Sequence, residues 1–212
     1  IQNPVLKKVL LWHQLKSPNS GADFQQISDF LFANPDWPQR KLLQTRAEEV
    51  LPRNKKHLDI IKWFEDRIPL TPNGAAKLAN SYIWSGNISS AKDVIQRIWV
   101  FGNFGVKQEF QFYKQFRRFM TRKNHIDRLD RLLWEGKYFP VRRMYRRINS
   151  DYRALAAARL SLRRMSGGVD RLIKRVPQYL KMNAGLIYER LRWRRKKGRN
   201  SFAQELLKSP PK

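Results

Sequence analysis

Apolar side chains recur along this chain at helical spacing and almost never alternate as strands do. Leu6, Leu10 and His13 share one helix face, as do Phe24, Ile27 and Leu31, then Leu43, Ala47 and Val50, then Leu58, Ile61 and Phe64. Breakers separate the stripes: Ser17-Pro18-Asn19-Ser20-Gly21, Asn34-Pro35-Asp36, Leu51-Pro52-Arg53-Asn54, Pro69-Leu70-Thr71-Pro72, Gly102-Asn103 and Ser166-Gly167-Gly168. The pattern predicts an all-α chain of about thirteen short helices. Thr71 before Pro72 has the form of an N-cap with proline at the first helical position, and Asp151 is expected to open an alanine-rich helix running to Arg164.

Repeats organise these helices. Trp84-Ser85-Gly86 is followed by Ala91, and Trp134-Glu135-Gly136 is followed by Val141 at the same offset from the glycine. A looser third copy places Trp193 before Gly198 and Ala203 after it. Such spacing is the grammar of a helix hairpin. The aromatic is expected to pack the pair, the glycine to let the chain reverse, and the small residue to permit close approach. The copies lie 50 and then 62 residues apart, which departs from the regular period of a tetratricopeptide array. A TPR-like superhelical solenoid of short antiparallel hairpins is the predicted architecture, with residues 1–212 forming a single α-superhelical domain fragment.

Composition narrows the classes. The 42% apolar content is enough for a core, and no apolar run approaches the roughly 18–20 residues of a membrane span. The absence of cysteine removes disulfides, thiolate zinc sites and thiol nucleophiles together. Ile1 is followed by neither a charged leader nor a cleavage site, so an export signal is expected to lie outside these residues. Charge says more. Lys and Arg number 44 against 17 Asp and Glu, a net +27. Residues 1–112 hold 15 basic and 10 acidic side chains, whereas residues 113–212 hold 29 and 7. An anionic partner is implied for the second half.

Catalytic chemistry finds no seat in the pattern. The adjacent acids Glu48-Glu49 and Glu65-Asp66 point about 100° apart on a helix, which does not oppose two carboxylates across a sugar. His13, His57 and His125 lie far apart in sequence and lack the i+4 partner of a zinc helix, so packing or surface roles are expected. No catalytic residue, metal or cofactor is assigned. The remaining candidates are two basic clusters, Arg142, Arg143, Arg146 and Arg147 around Tyr145, and Arg190, Arg192, Arg194 and Arg195 around Trp193. Interleaved arginine and aromatic residues can grip phosphates while stacking a base. The preferred alternative makes Tyr145 and Trp193 core residues of hairpins whose solvent faces are arginine-rich. RNA readout by repeats needs a constant period that the 50 and 62 spacing violates, so nucleic acid is disfavoured.

Several stretches together resemble the superhelical domain of soluble lytic murein transglycosylases, particularly the alphaproteobacterial type. They are residues 30–38 (Phe-Leu-Phe-Ala-Asn-Pro-Asp-Trp-Pro) with Arg46-Ala47-Glu48 behind, and residues 125–136 from His125 to Gly136. To these add Arg153 to Leu160 leading to Val169-Asp170 and Val176-Pro177, and Tyr188 to Arg195 leading to Leu206-Leu207-Lys208-Ser209-Pro210-Pro211. The resemblance implies a periplasmic protein that cuts peptidoglycan glycan strands non-hydrolytically, leaving 1,6-anhydromuramic ends. The chemistry would belong to a separate lysozyme-like domain, whose single glutamate typically sits in a Glu-Ser pair. No Glu-Ser pair occurs here, so the catalytic domain is absent from these residues. The expected partners are peptidoglycan strands, the parent protein's catalytic domain, and a second copy meeting exposed solenoid ends at Val5, Leu6, Val9 and Leu10 or at Phe202, Leu206 and Leu207. A helical-repeat adaptor for protein or anionic partners is the alternative. If the cationic half binds sacculi, charge reversal at Arg143 and Arg147 is expected to weaken binding more than reversal at Lys7 and Lys8.

Overall fold

A computed structural model describes residues 3–198. The chain is all-helical, with no strand and twelve α-helices among the described residues, and contacts cluster it into two compact units, Ile1–Met120 and Thr121–Lys212.

The first unit runs through α1 (Pro4–Lys16), α2 (Phe24–Ala33), α3 (Arg40–Glu49), α4 (His57–Trp63), α5 (Pro72–Trp84), α6 (Ile88–Phe101) and α7 (Val106–Phe116), then a 3-10 turn at Arg117–Phe119. Every predicted breaker falls between helices, save that Pro72 is already the first residue of α5. Thr71 caps α5 as expected, its Oγ1 accepting from Gly74 N at 3.0 Å. The core gathers Leu15, Phe24, Ile27, Leu31, Leu43, Ala47, Ile60, Phe64 and Leu78. Each fully buried large apolar side chain contributes about 1.5–3 kcal/mol. Trp99 is sealed among Phe104 and Phe112 at centroid distances of 5.7 and 6.5 Å.

Three stripes differ from expectation, the Leu43, Ala47 and Val50 stripe only at Val50, which is exposed while the other two are buried. On α1 only Leu15 is buried; Leu6 and Leu10 are about half exposed and His13 faces solvent. This helix is held at its C-terminal end, where Trp12 meets Trp37 edge-on and Arg46 Nε donates to Lys16 O at 3.1 Å. Val5, Leu6, Val9 and Leu10 are therefore exposed, while Phe202, Leu206 and Leu207 lie outside the described residues. On α4, seven residues long, Ile60 takes the core together with Phe64 just past its end, and Leu58 turns outward.

The second unit contains α8 (Arg122–Trp134), α9 (Tyr138–Met144) continued by a 3-10 turn at Tyr145–Arg147, and α10 (Ser150–Arg163). There follow α11 (Val169–Lys174), a 3-10 turn at Gln178–Leu180, and α12 (Ala184–Lys196). Helix α10 starts one residue earlier than Asp151, because Asn149 accepts from Tyr152 N at 3.2 Å and is the cap. Leu155, Ala158, Leu162, Val169, Val176, Leu180 and Leu186 form its core, with Trp193 packed against them.

The predicted hairpin ends share one geometry. Gly86 and Gly136 have φ of +78° and +70°. The next residue closes a six-residue turn, Asn87 N to Tyr82 O at 2.8 Å and Lys137 N to Leu132 O at 2.9 Å, the Schellman ending of a helix. Ala91 and Val141 are fully buried. The tryptophans are placed differently from the expectation, however. Trp84 and Trp134 are 61% and 41% exposed. Each lies off the stripe that its helix buries, Ala75, Leu78 and Ala79 in α5 and Leu129, Leu132 and Leu133 in α8. Trp84 instead stacks on His57 at 5.0 Å, and Trp134 meets Tyr188 at 5.2 Å. Gly198 repeats the left-handed ending at φ +70°, but Ala203 lies outside the described residues.

Candidate functional site

Burial of Val141 and Met144 fixes which way α9 faces. Arg142 and Arg146 are left exposed, while Arg143 and Arg147 are half-buried and Arg147 Nη1 donates to Arg143 O at 3.1 Å. Tyr138, Arg142 and Tyr145 follow one another at spacings of four and three, on one side of the helix. The Arg142 guanidinium lies 4.8 Å from the Tyr145 ring centroid. Opposite, at the end of α10, Arg164 lies 4.7 Å from the Tyr138 ring centroid. These four side chains with Ser161 and Ser166 border a cleft of about 210 Å³. Burial pushes the Tyr145 phenol above its ordinary value, with the Arg142 hydrogen bond and charge opposing, so the hydroxyl keeps its proton at neutral pH.

The second cluster divides. Arg192 turns inward, donating to Arg163 O at 3.2 Å and to Glu189 Oε2 at 3.4 Å. Arg190 is half-buried, and burial then the charge of Arg194 lower its pKa while Asp170 opposes. Arg194 is half-buried and Arg195 exposed. Trp193 is a core-packing residue, as the preferred reading expected, whereas Tyr145 lines the cleft.

Five of the six carboxylates described in this unit are engaged from within, Asp170 being the exposed exception. Asp127 pairs with Lys123 at 2.6 Å, Glu135 with Arg131 at 2.8 Å, and Glu189 with Arg163 at 2.7 Å. Asp130 holds the buried Arg159, and Asp151 accepts from the Tyr179 hydroxyl at 2.7 Å. Positive charge is thereby left facing solvent at Arg142, Arg146, Arg164, Arg195, Lys196 and Lys197.

In the first unit the acid pairs serve other ends. Glu48 is fully buried and accepts from Leu70 N, Thr71 N, Thr71 Oγ1 and Gln44 Nε2 at 2.7–3.1 Å. It thus pins the loop before α5, and Gly74 leaves room for its carboxylate. Glu49 pairs with Arg46 at 2.8 Å. Glu65 and Asp66 are exposed on the rim of an open groove of about 930 Å³. His57 Nδ1 lies 3.0 Å from Ser81 Oγ, and His125 is half-buried beside Arg147 and Arg128. Among the described residues no group of three His, Cys, Asp or Glu is set to hold a metal ion, and no helix is long and apolar enough to cross a membrane.

Sequence reasoning named Arg142 but missed Tyr138 and Arg164. Tyr138 was legible from its four-residue spacing to Arg142. Arg164 was not, because its approach depends on how α10 packs. Comparison with protein-family models, with curated proteins and with solved structures finds no match for this chain.

Proposed function

We propose that the chain is a non-catalytic helical scaffold that binds peptidoglycan glycan strands for a periplasmic lytic transglycosylase, whose lysozyme-like domain is a separate part of the parent protein. The supporting observation is the sorting of charge in the second unit. Five of its six described acids are engaged by internal partners, Asp170 standing exposed, while arginine and lysine line the surface. Peptidoglycan carries stem-peptide carboxylates at intervals along a saccharide chain, and guanidinium groups suit them by bidentate hydrogen bonding. Each exposed contact contributes about 1 kcal/mol or less, so affinity arises from several together and weakens with salt. The repeated hairpin endings suit a superhelical surface that presents such contacts in series.

The experiment is cosedimentation with purified sacculi at low and high salt. Salt-sensitive binding without release of anhydromuropeptides is the expected result. Failure to sediment, with capture by an acidic protein instead, would identify a helical-repeat adaptor.

A further inference from the structure

The cleft between α9 and the end of α10 has features that general cationic attraction does not require. Its walls are set by backbone. Val141 and Met144 anchor one side, and Ser166 N donates to Ser161 O at 3.0 Å on the other, fixing where the chain turns after Arg164. Each arginine is laid against a tyrosine ring. A guanidinium carries five N–H donors, so Arg142, which also hydrogen-bonds the Tyr145 side chain, keeps others for an oxyanion. Neither Arg142 nor Arg164 meets a carboxylate among the described residues.

The remaining lining selects the ligand. Tyr138, Tyr145, Ser161 and Ser166 contribute four hydroxyls, each able to donate and to accept, and no carboxylate borders the cleft. Hydroxyls that switch role match a polyhydroxylated ring. The guanidinium groups already cover one face of both tyrosines, which reduces their use as platforms for a base. At about 210 Å³ the cleft is smaller than the usual small-molecule pocket, so it grips one ring with its substituent rather than a long ligand.

We infer that Arg142 and Arg164 clamp the carboxylate of an acidic saccharide whose ring hydroxyls meet Tyr138, Tyr145, Ser161 and Ser166. This rests on the peptidoglycan reading for the choice of a sugar acid over other oxyanions. N-acetylmuramic acid, whose lactyl carboxylate is free where a glycan strand bears no stem peptide, is the simplest probe. N-acetylglucosamine keeps the ring without the acid, lactate keeps the acid without the ring, and inorganic phosphate and a short oligonucleotide test other oxyanions.

Titration of the full chain followed by NMR of arginine side-chain and backbone amides reads the site. With N-acetylmuramic acid, shifts are expected at Tyr138, Arg142, Tyr145 and Arg164, with binding about tenfold weaker for N-acetylglucosamine and for lactate. Arg142→Ala with Arg164→Ala should abolish these shifts, and Arg142→Lys, which keeps charge without the fork, should weaken binding. Arg171→Ala with Arg175→Ala, exposed cations of the same unit, should leave it unchanged. The unperturbed remainder of each spectrum shows whether a variant has folded, and Arg142→Lys provides the test should the double variant not fold. Equal binding of lactate, tighter binding of phosphate or oligonucleotide, or undiminished shifts in the folded double variant would overturn the clamp. Sacculus binding with a silent cleft refutes the clamp alone. A responsive cleft without sacculus binding refutes the peptidoglycan reading and leaves the clamp standing.

Discussion

Met165 occupies at the end of α10 the place that Gly136 occupies at the end of α8. Its φ is +59° against +70°, and the same two bonds surround it, Met165 N to Leu162 O and Ser166 N to Ser161 O beside Gly136 N to Leu133 O and Lys137 N to Leu132 O. The left-handed region costs an ordinary L-residue about 1 kcal/mol, and glycine avoids that cost. Met165→Gly is therefore expected to raise the thermal midpoint by about 2–4 °C, given that roughly 1 kcal/mol moves a chain of this size that far. Gly136→Ala should lower it by more, since a Cβ there also strikes the Arg163 side chain. Melting curves of both variants check the pair.

The same comparison explains what the sequence disclosed. Glycine at 86 and 136 marks two reversals from composition alone, whereas Met165 makes an equivalent turn with no signal at that position. Stripes such as Phe24, Ile27 and Leu31 were legible because local period decides burial there. The Leu6, Leu10 and His13 stripe of α1 was not, since burial needs a neighbour and nothing in the local pattern says whether one arrives. At the cleft, Tyr138, Arg142 and Tyr145 follow from spacing on one helix. Arg164 joins them through tertiary packing, which the pattern of a single helix does not carry.

Glu48 ties the loop before α5 to α3 at a cost that depends on pH. Burial raises its pKa above the ordinary 4.5, more than its hydrogen bonds from Leu70, Thr71 and Gln44 lower it. The folded chain thus holds this proton more tightly than the unfolded chain does. Its contribution to stability is full below the ordinary value and is lost as pH rises through the raised one. Relative to Glu48→Gln, which stays neutral, the wild type should lose urea resistance as pH rises from 4.5 upward. Glu48→Ala strands the Leu70 and Thr71 amides and should cost about 2–4 kcal/mol at any pH.

His125 has the opposite linkage. Burial, then the charges of Arg147 and Arg128, holds its pKa down at about 4 instead of 6.5. The unfolded chain binds the proton more readily, so stability is intact above 6.5 and declines as pH falls toward about 4. Imidazole NMR should report a midpoint near that lower value. Arg147→Gln should move it upward by removing one repelling charge. A midpoint near 6.5 in the wild type would show that the ring is solvated.

Two carboxylates of α8 separate surface from buried ion pairing. Asp127 meets Lys123, which is 81% exposed, whereas Asp130 meets Arg159, which is 1% exposed, lies against the Trp134 ring and reaches Asn183. Asp127→Ala should cost less than about 1 kcal/mol. Asp130→Ala leaves a buried guanidinium without its carboxylate and should cost about 3–5 kcal/mol. Adding Arg159→Met to Asp130→Ala should recover part of that loss. Urea denaturation of the three variants tests the ordering.

The proposed binding of peptidoglycan depends on the outward cations of the second unit. Arg143 and Arg147 are half-buried with partners of their own, so charge reversal is better placed at the exposed Arg142 and Arg146. The direct measurement is sacculus cosedimentation at low and high salt for wild type, Arg142→Glu with Arg146→Glu, and Lys7→Glu with Lys8→Glu. The first double variant should lose most of the salt-sensitive binding while the second retains most of it. Equal losses in the two, or binding that high salt does not weaken, would contradict the account.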